Sequence, residues 1–232
     1  MALQRGDGIV LRTRPFSESD LIVDLFFADR GRRTLIAKGA RGSRSAVGGV
    51  FDALNRVEVV FYEKPSLDLV SQAALLEGFA GLKSDLPGVI AALGVASMLD
   101  RMLPLHQADA RAYRVFDALL RILDRRSGDS QVVCLAGQLK LLQVLGHRPR
   151  LGACAICGGD AAPFSFSEQE GGVVCSRCST GNGGITAGLA RSMERLLEMP
   201  LTRSQIVKLS PVDLATARQA VGGFVEHLAR GG

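Results

Sequence analysis

The chain has 232 residues, 47% of them hydrophobic, which is enough to bury a core and points to a folded chain instead of a disordered one. Twenty-eight Lys and Arg against 23 Asp and Glu give a formal net charge of +5, a bias towards acidic partners that is too modest to name one. No stretch approaches the ~20 apolar residues that span a bilayer. Met1–Asp7 also lacks the order of a secretory signal, so a cytoplasmic protein with reduced thiols and no membrane partner is expected.

From Asp7 to about Leu76 the pattern is β. Gly8–Arg14 reads as a strand with Ile9, Leu11 and Thr13 on one face and Val10, Arg12 and Arg14 on the other. Leu21–Phe27 is a compact apolar run ended by Ala28-Asp29-Arg30-Gly31. Thr34–Lys38, Arg56–Glu63 and Leu67–Ala73 supply three more strands. Five short strands suit a small closed barrel, which leaves no sheet edge exposed.

From about Pro87 the period becomes helical. Val89, Ala92, Leu93, Ala96, Leu99 and Leu103 share one stripe, Tyr113, Phe116, Leu120 and Leu123 a second, and Leu135, Leu139, Leu142 and Leu145 a third that Gly146 closes. Thr186 can cap a helix that must end before Pro200, and Ser210-Pro211-Val212-Asp213 starts the last one. The expected fold class is α+β: a five-stranded barrel over residues 1–80, then an α-helical bundle over 81–232 carrying an insert at 151–184.

Within that insert, Cys154-Ala-Ile-Cys157 and Cys175-Ser-Arg-Cys178 form two C-x-x-C knuckles. Each puts two thiolates on one tight turn, and two knuckles complete a tetrahedron around Zn²⁺. A disulfide pair is disfavoured in a reducing compartment, and a redox C-x-x-C would not come twice. Four thiolates leave no open position, so one structural zinc ion is expected to brace the insert without catalysing anything. Cys134 reads as a buried small hydrophobe and His147 as a residue closing a helix end, since four cysteines already suffice.

The barrel carries the basic segment. Arg30, Arg32, Arg33, Lys38, Arg41 and Arg44 follow one another without a carboxylate, and Arg12 and Arg14 add two more. Arg12, Arg14, Arg32, Arg33, Lys38, Arg41 and Arg44 are the candidate contacts to nucleic-acid phosphates. The plainer reading pairs these arginines with Glu18, Asp20, Asp24 and Asp29. The loop from Lys38 to Arg44 lacks the order of a nucleotide-binding loop, so ATP hydrolysis is not supported. With no Trp and two Tyr, the barrel is expected to grip the backbone and leave base edges free for pairing.

Asp7-Gly-Ile-Val-Leu-Arg-Thr-Arg14, Ser17-Glu-Ser-Asp-Leu-Ile-Val-Asp-Leu-Phe26, Gly31 and Ala37-Lys-Gly-Ala-Arg41, in that order, closely resemble the opening of RecO proteins, the bacterial recombination mediators. The resemblance implies an N-terminal OB-fold, binding of single- and double-stranded DNA, annealing of complementary strands and a cytoplasmic, nucleoid-associated protein. It also implies partnership with RecR and with the acidic tail of the single-strand-binding protein SSB, and indirectly with RecA, and no covalent chemistry. Lys38 and Arg41 fall on the family's basic Ala-Lys-Gly-Ala-Arg stretch. Some family members lack the zinc cysteines, which keeps the metal in a supporting role.

Two other functions compete. A metal-dependent nuclease would use Glu18, Asp20 and Asp24, yet a two-metal site needs carboxylates converging from several elements. A non-catalytic scaffold would use the helical faces to bridge proteins.

Overall fold

The computed structural model describes residues 2–42, 49–64, 67–179 and 183–231, and the chain forms two compact units, 1–124 and 125–232. In the first unit, β1 (Leu3–Pro15), β2 (Leu21–Phe27), β3 (Gly31–Ala37), β4 (Arg56–Tyr62) and β5 (Asp68–Glu77) close a barrel in the order β1-β2-β3-β5-β4. Every pairing is antiparallel except β3 with β5, where only Leu35↔Asp68 and Ile36↔Leu69 are in register. The inside is filled by Val10, Val23, Leu25, Leu35, Val59 and Phe61, among others. The α+β class with an N-terminal five-stranded barrel is thus the observed one.

Simple alternation holds in β3, whose Gly31, Arg33, Leu35 and Ala37 are buried while Arg32, Thr34 and Ile36 are half-buried. It fails in β1, where Ile9, Val10 and Leu11 are all buried in succession. The outer face of β1 packs against α2 (Leu86–Met102), so both faces are covered. A register shift between Val10 and Arg12 in the pairing with β2 adds to the departure. β1 also starts earlier than its apolar run. Leu3–Asp7 pairs with Tyr62–Glu58 of β4, and its polar sequence hides this half of the strand. At the β2–β3 turn Gly31 has φ +68°, and a Cβ there would sit 1.9 Å from the Gln107 carbonyl oxygen, so only glycine fits.

The unit also holds α1 (Ala80–Lys83) and α3 (Ala110–Asp124). The helix α3 buries Tyr113, Phe116, Leu120 and Leu123, the stripe read from sequence, and Tyr113 meets Phe26 edge-on at 5.5 Å between ring centroids. The helix α1, at four residues, is too short to show a period.

The second unit contains α4 (Ser130–Val144), a hairpin of β6 (Phe164–Ser167) and β7 (Gly172–Cys175), α5 (Ala187–Glu198), a 3-10 helix (Leu201–Ile206) and α6 (Pro211–Ala229). The side chains of Thr186 and Ser210 accept the backbone N–H groups of Leu189 and Asp213, each at 3.1 Å, as their capping positions require. At the end of α4 the N–H of His147 donates to the Leu142 carbonyl at 2.8 Å across Gly146, whose φ is +90°, so His147 closes the helix through its backbone. Cys134 is buried in α4. No helix among the described residues is long and apolar enough to cross a membrane.

Candidate nucleic-acid interface and metal centre

Two loops are laced together at one end of the barrel. The β1–β2 turn, residues 16–20, closes with the Phe16 N–H donating to the Asp20 carbonyl at 3.1 Å. Ser17 Oγ accepts the N–H groups of Ser19 and Asp20 inside the turn. The loop after β3 is tied to this turn three times. Gly39 N–H donates to Asp20 Oδ1 at 2.9 Å, Arg41 N–H to the Ser19 carbonyl at 2.8 Å, and Arg41 Nη1 to the Ser17 carbonyl at 2.6 Å. The Gly39 amide, with help from Ser19, Ser17 and the charge of Lys38, holds the Asp20 carboxyl below its ordinary range.

The sequence links Lys38 and Arg41 to these loops, and both are exposed. Among the described residues Lys38 has no hydrogen bond or ion pair, while Arg41 spends one guanidinium nitrogen on the Ser17 carbonyl. Phe16, 59% exposed, stands on the same turn and is not among the residues the sequence pattern singles out. Its signal was its place: a phenylalanine directly after Pro15, outside any apolar run.

The remaining basic residues are placed differently. Arg12 and Arg14 on β1 both lean on Asp24 of β2, at 3.6 and 3.3 Å, and keep about half of their side chains exposed. Asp24 itself is buried and also accepts from Thr34 Oγ1. Arg12 further meets Asp100 of α2 at 3.5 Å, and Arg32 meets the same carboxylate at 2.7 Å. Arg32 Nε donates to the Leu103 carbonyl just past the end of α2, where a cation complements the helix dipole. Arg33 lies on the buried face of β3. Its Nε donates to Asp68 Oδ2 and its Nη2 to Glu63 Oε1, both at 2.7 Å, and its guanidinium lies 5.5 Å from the Phe61 ring centroid. Arg44 falls outside the described residues. The three acids considered for a nuclease are apart in role: Asp24 is inside the Arg12–Arg14 pairing, Asp20 is in the loop network and Glu18 is exposed.

In the second unit the sulfurs of Cys154, Cys157, Cys175 and Cys178 all lie within 4.8 Å of one another, so the four cysteines could hold a metal ion. Cys157 Sγ and Cys175 Sγ are 3.7 Å apart. A tetrahedral site with metal–sulfur bonds of about 2.3 Å sets neighbouring sulfurs about 3.8 Å apart, so the geometry fits. The first knuckle is shaped by Gly158 N–H donating to the Cys154 carbonyl at 2.9 Å, with Gly158 at φ +72°, and by Cys154 N–H donating to Gly159. The second begins on β7 and turns with Cys178 N–H donating to the Cys175 carbonyl at 2.9 Å.

The cluster is already primed for a cation. Backbone amides of Cys157 and Cys175 pull the Cys154 thiol down to about 6. At Cys175 burial opposes ionisation, but the amides of Arg177 and Cys178 and the Cys157 thiol outweigh it and lower its value. Cys178, which donates into the cluster through Cys157 and is partly buried, is pushed up to about 12. Of these thiols, Cys154 thus ionises most readily, at the place where a dication would be held.

The family model described as Recombination protein O N terminal matches residues 1–79, and that described as Recombination protein O C terminal matches 83–231. A DNA repair protein RecO of Symbiobacterium thermophilum is 31% identical over 97% of this chain and 92% of its own length. That of Anaeromyxobacter sp. strain K is 34% identical over 95% of this chain and 89% of its own.

Proposed function

Since the chain belongs to the RecO family, we propose that it acts in DNA repair as a non-catalytic, DNA-binding recombination mediator. It binds single- and double-stranded DNA, anneals complementary strands and, with RecR, promotes RecA loading onto SSB-coated DNA in the cytoplasm. The observation that carries the DNA-binding part is the laced pair of loops at one barrel end. It offers an exposed Lys38, whose side chain makes no hydrogen bond or close ion pair among the described residues and interacts with Asp20 only through its charge, and Arg41 held in place by Ser17. In five-stranded barrels of this kind the loop between the first two strands is a recurrent place for nucleic acid. Arg12 and Arg14 extend the cationic surface, Arg44 continues it in sequence, and Arg32 and Arg33 serve it from within by bracing the barrel.

The donor set of Cys154, Cys157, Cys175 and Cys178 supports one structural Zn²⁺, which when bound would cross-link the two knuckles and offer no open coordination position. Incubation of labelled DNA with the protein and Mg²⁺ or Mn²⁺ is expected to leave the DNA uncut.

Strand annealing by the purified chain, with and without the single-strand-binding protein, tests the function directly. Salt dependence tests the site. K38Q/R41Q is expected to weaken binding on all sequences alike and to reduce the slope of log affinity against log salt by about two, one per lost phosphate contact. An unchanged slope would remove these residues from the interface. The alternative of a protein-bridging scaffold draws on one observation: Leu86, Ile90 and Leu93 form an exposed apolar stripe on α2. It predicts partner binding by a chain that binds no DNA.

A further inference from the structure

We infer that Phe16 is a base-stacking platform that makes the laced loops prefer single-stranded over duplex nucleic acid. The inference rests on the strand-binding role given to these loops above. Phe16 is 59% exposed, whereas six of the chain's ten phenylalanines (Phe26, Phe27, Phe51, Phe61, Phe79 and Phe116) are at most 2% exposed. Single exposed apolar residues are ordinary, so exposure alone decides nothing. The mounting of this one does.

Phe16 stands on a turn fixed from both sides. Its own N–H is bonded to the Asp20 carbonyl, Ser17 Oγ braces the turn, and Asp20 and the Ser17 and Ser19 carbonyls bind the Gly39–Arg41 segment. Pro15 precedes it and limits the backbone on that side. The ring is therefore held out on a rigid base, on the loop pair that also carries Lys38 and Arg41. A phenyl ring exposed to water gains little by itself, since its face and area have no partner. A nucleotide strand supplies what both need: phosphates for the cations and a base face for the ring.

A base stacked by its face keeps its pairing edge open. This removes the apparent conflict between holding single strands and annealing them. It also separates two contributions that salt can tell apart, because stacking releases no counterions. Duplex DNA hides its base faces, so it should use the cations and ignore the ring.

The chain has no tryptophan, so F16W places a single indole at the site as a reporter. Titration of full-length F16W with a homothymidine strand is expected to quench that emission, and titration with duplex to leave it nearly unchanged. F16A should lower single-strand affinity by about 5- to 150-fold, the loss of one stacked base. Its salt slope should match the unaltered protein, and its duplex affinity should stay within about twofold, as for a contact that carries no charge. F16Y should retain the affinity, which guards against a folding defect in F16A. Unquenched F16W at saturation, equal losses on duplex and single strand, or a flattened slope in F16A would each overturn the inference. So would an F16A variant that keeps its DNA affinity but loses a protein partner. If the unaltered chain binds no strand at all, the proposed function falls with it. If K38Q/R41Q weakens binding and F16A does not, only the role of Phe16 falls.

Discussion

Replacing Arg33 by alanine is expected to cost the first unit about 3–5 kcal/mol, among the largest losses available to a single substitution outside the apolar core. Arg33 and Asp68 are 7% and 2% exposed, and their 2.7 Å contact is a charged pair largely out of water. Removing the guanidinium leaves Asp68 buried, with the Lys64 N–H at 3.1 Å as its remaining side-chain bond among the described residues. It also removes the cation from the Phe61 ring and from Glu63. Thermal or urea unfolding of R33A measures the loss. R33M/D68L, which removes both charges and fills the space, should recover most of it, because a buried pair costs nearly as much to desolvate as it returns. A mild effect of R33A would mean that water reaches Asp68.

The pH dependence has a definite sign. Hydrogen bonding by Arg33, together with its charge, keeps Glu63 below the ordinary carboxylate value of 4.5. Its contribution is therefore present above that value and lost as the pH falls through the lower, folded one. Glu63 is partly exposed and the share is small, and it should shrink to the weaker pull of His106 and Arg30 in R33A.

Stripping the metal is expected to have the second large effect, confined to the second unit. With an ion bound, the four cysteines would fix the two ends of the segment from Cys154 to Cys178, with the β6–β7 hairpin between them. Without the ion, the short hairpin keeps its backbone bonds to Arg150 and Ile185 and the contact of Phe166 with Phe224, 5.6 Å between centroids, but the knuckles at its ends lose their cross-link. Chelation should expose the segment to proteolysis and leave the melting of the first unit and the DNA salt slope unchanged. Elemental analysis should find one zinc per chain, and none in C154S/C175S.

Zinc uptake should release protons, since Cys178 is held protonated up to about 12 without the ion. Cys154 works in the other direction. Its thiolate favours the folded insert fully above the free thiol's value of 9.0, and this support is lost as the pH falls through about 6. Competition with a chromophoric chelator across that range should show affinity falling with acidity. Pull-down of zinc that is indifferent to pH would contradict thiolate ligation.

What was legible in the sequence was local. The knuckles declared themselves because both members of each pair sit within four residues, and β2 matched its apolar run from Leu21 to Phe27 because turns bound it on both sides. The caps at Thr186 and Ser210 needed only their own neighbours. Features that depend on distant partners were hidden. The polar half of β1 is a strand only because β4 lies beside it. The strands β6 and β7 have four residues each and sit inside a segment read for its cysteines. Within the basic segment, sequence could not tell Arg33 from Lys38. Arg33 shares parity with Leu35 and Ala37, which point inward, whereas Lys38 stands just past the strand, but that contrast needs the barrel to give it meaning.

The seam between β3 and β5 has a consequence in time. The pairs β1–β2, β2–β3 and β4–β5 join neighbours in the chain and can form early, because short loops close at little entropic cost. The seam joins Leu35 and Ile36 to Asp68 and Leu69 across a long stretch of chain, and two register pairs give little return. Arg33 spans this seam to Asp68. Its ion pair is therefore expected to form after the rate-limiting step, as a latch on a barrel already assembled. Stopped-flow kinetics of R33A should show faster unfolding with nearly unaltered folding. Slowed folding would place closure inside the nucleus.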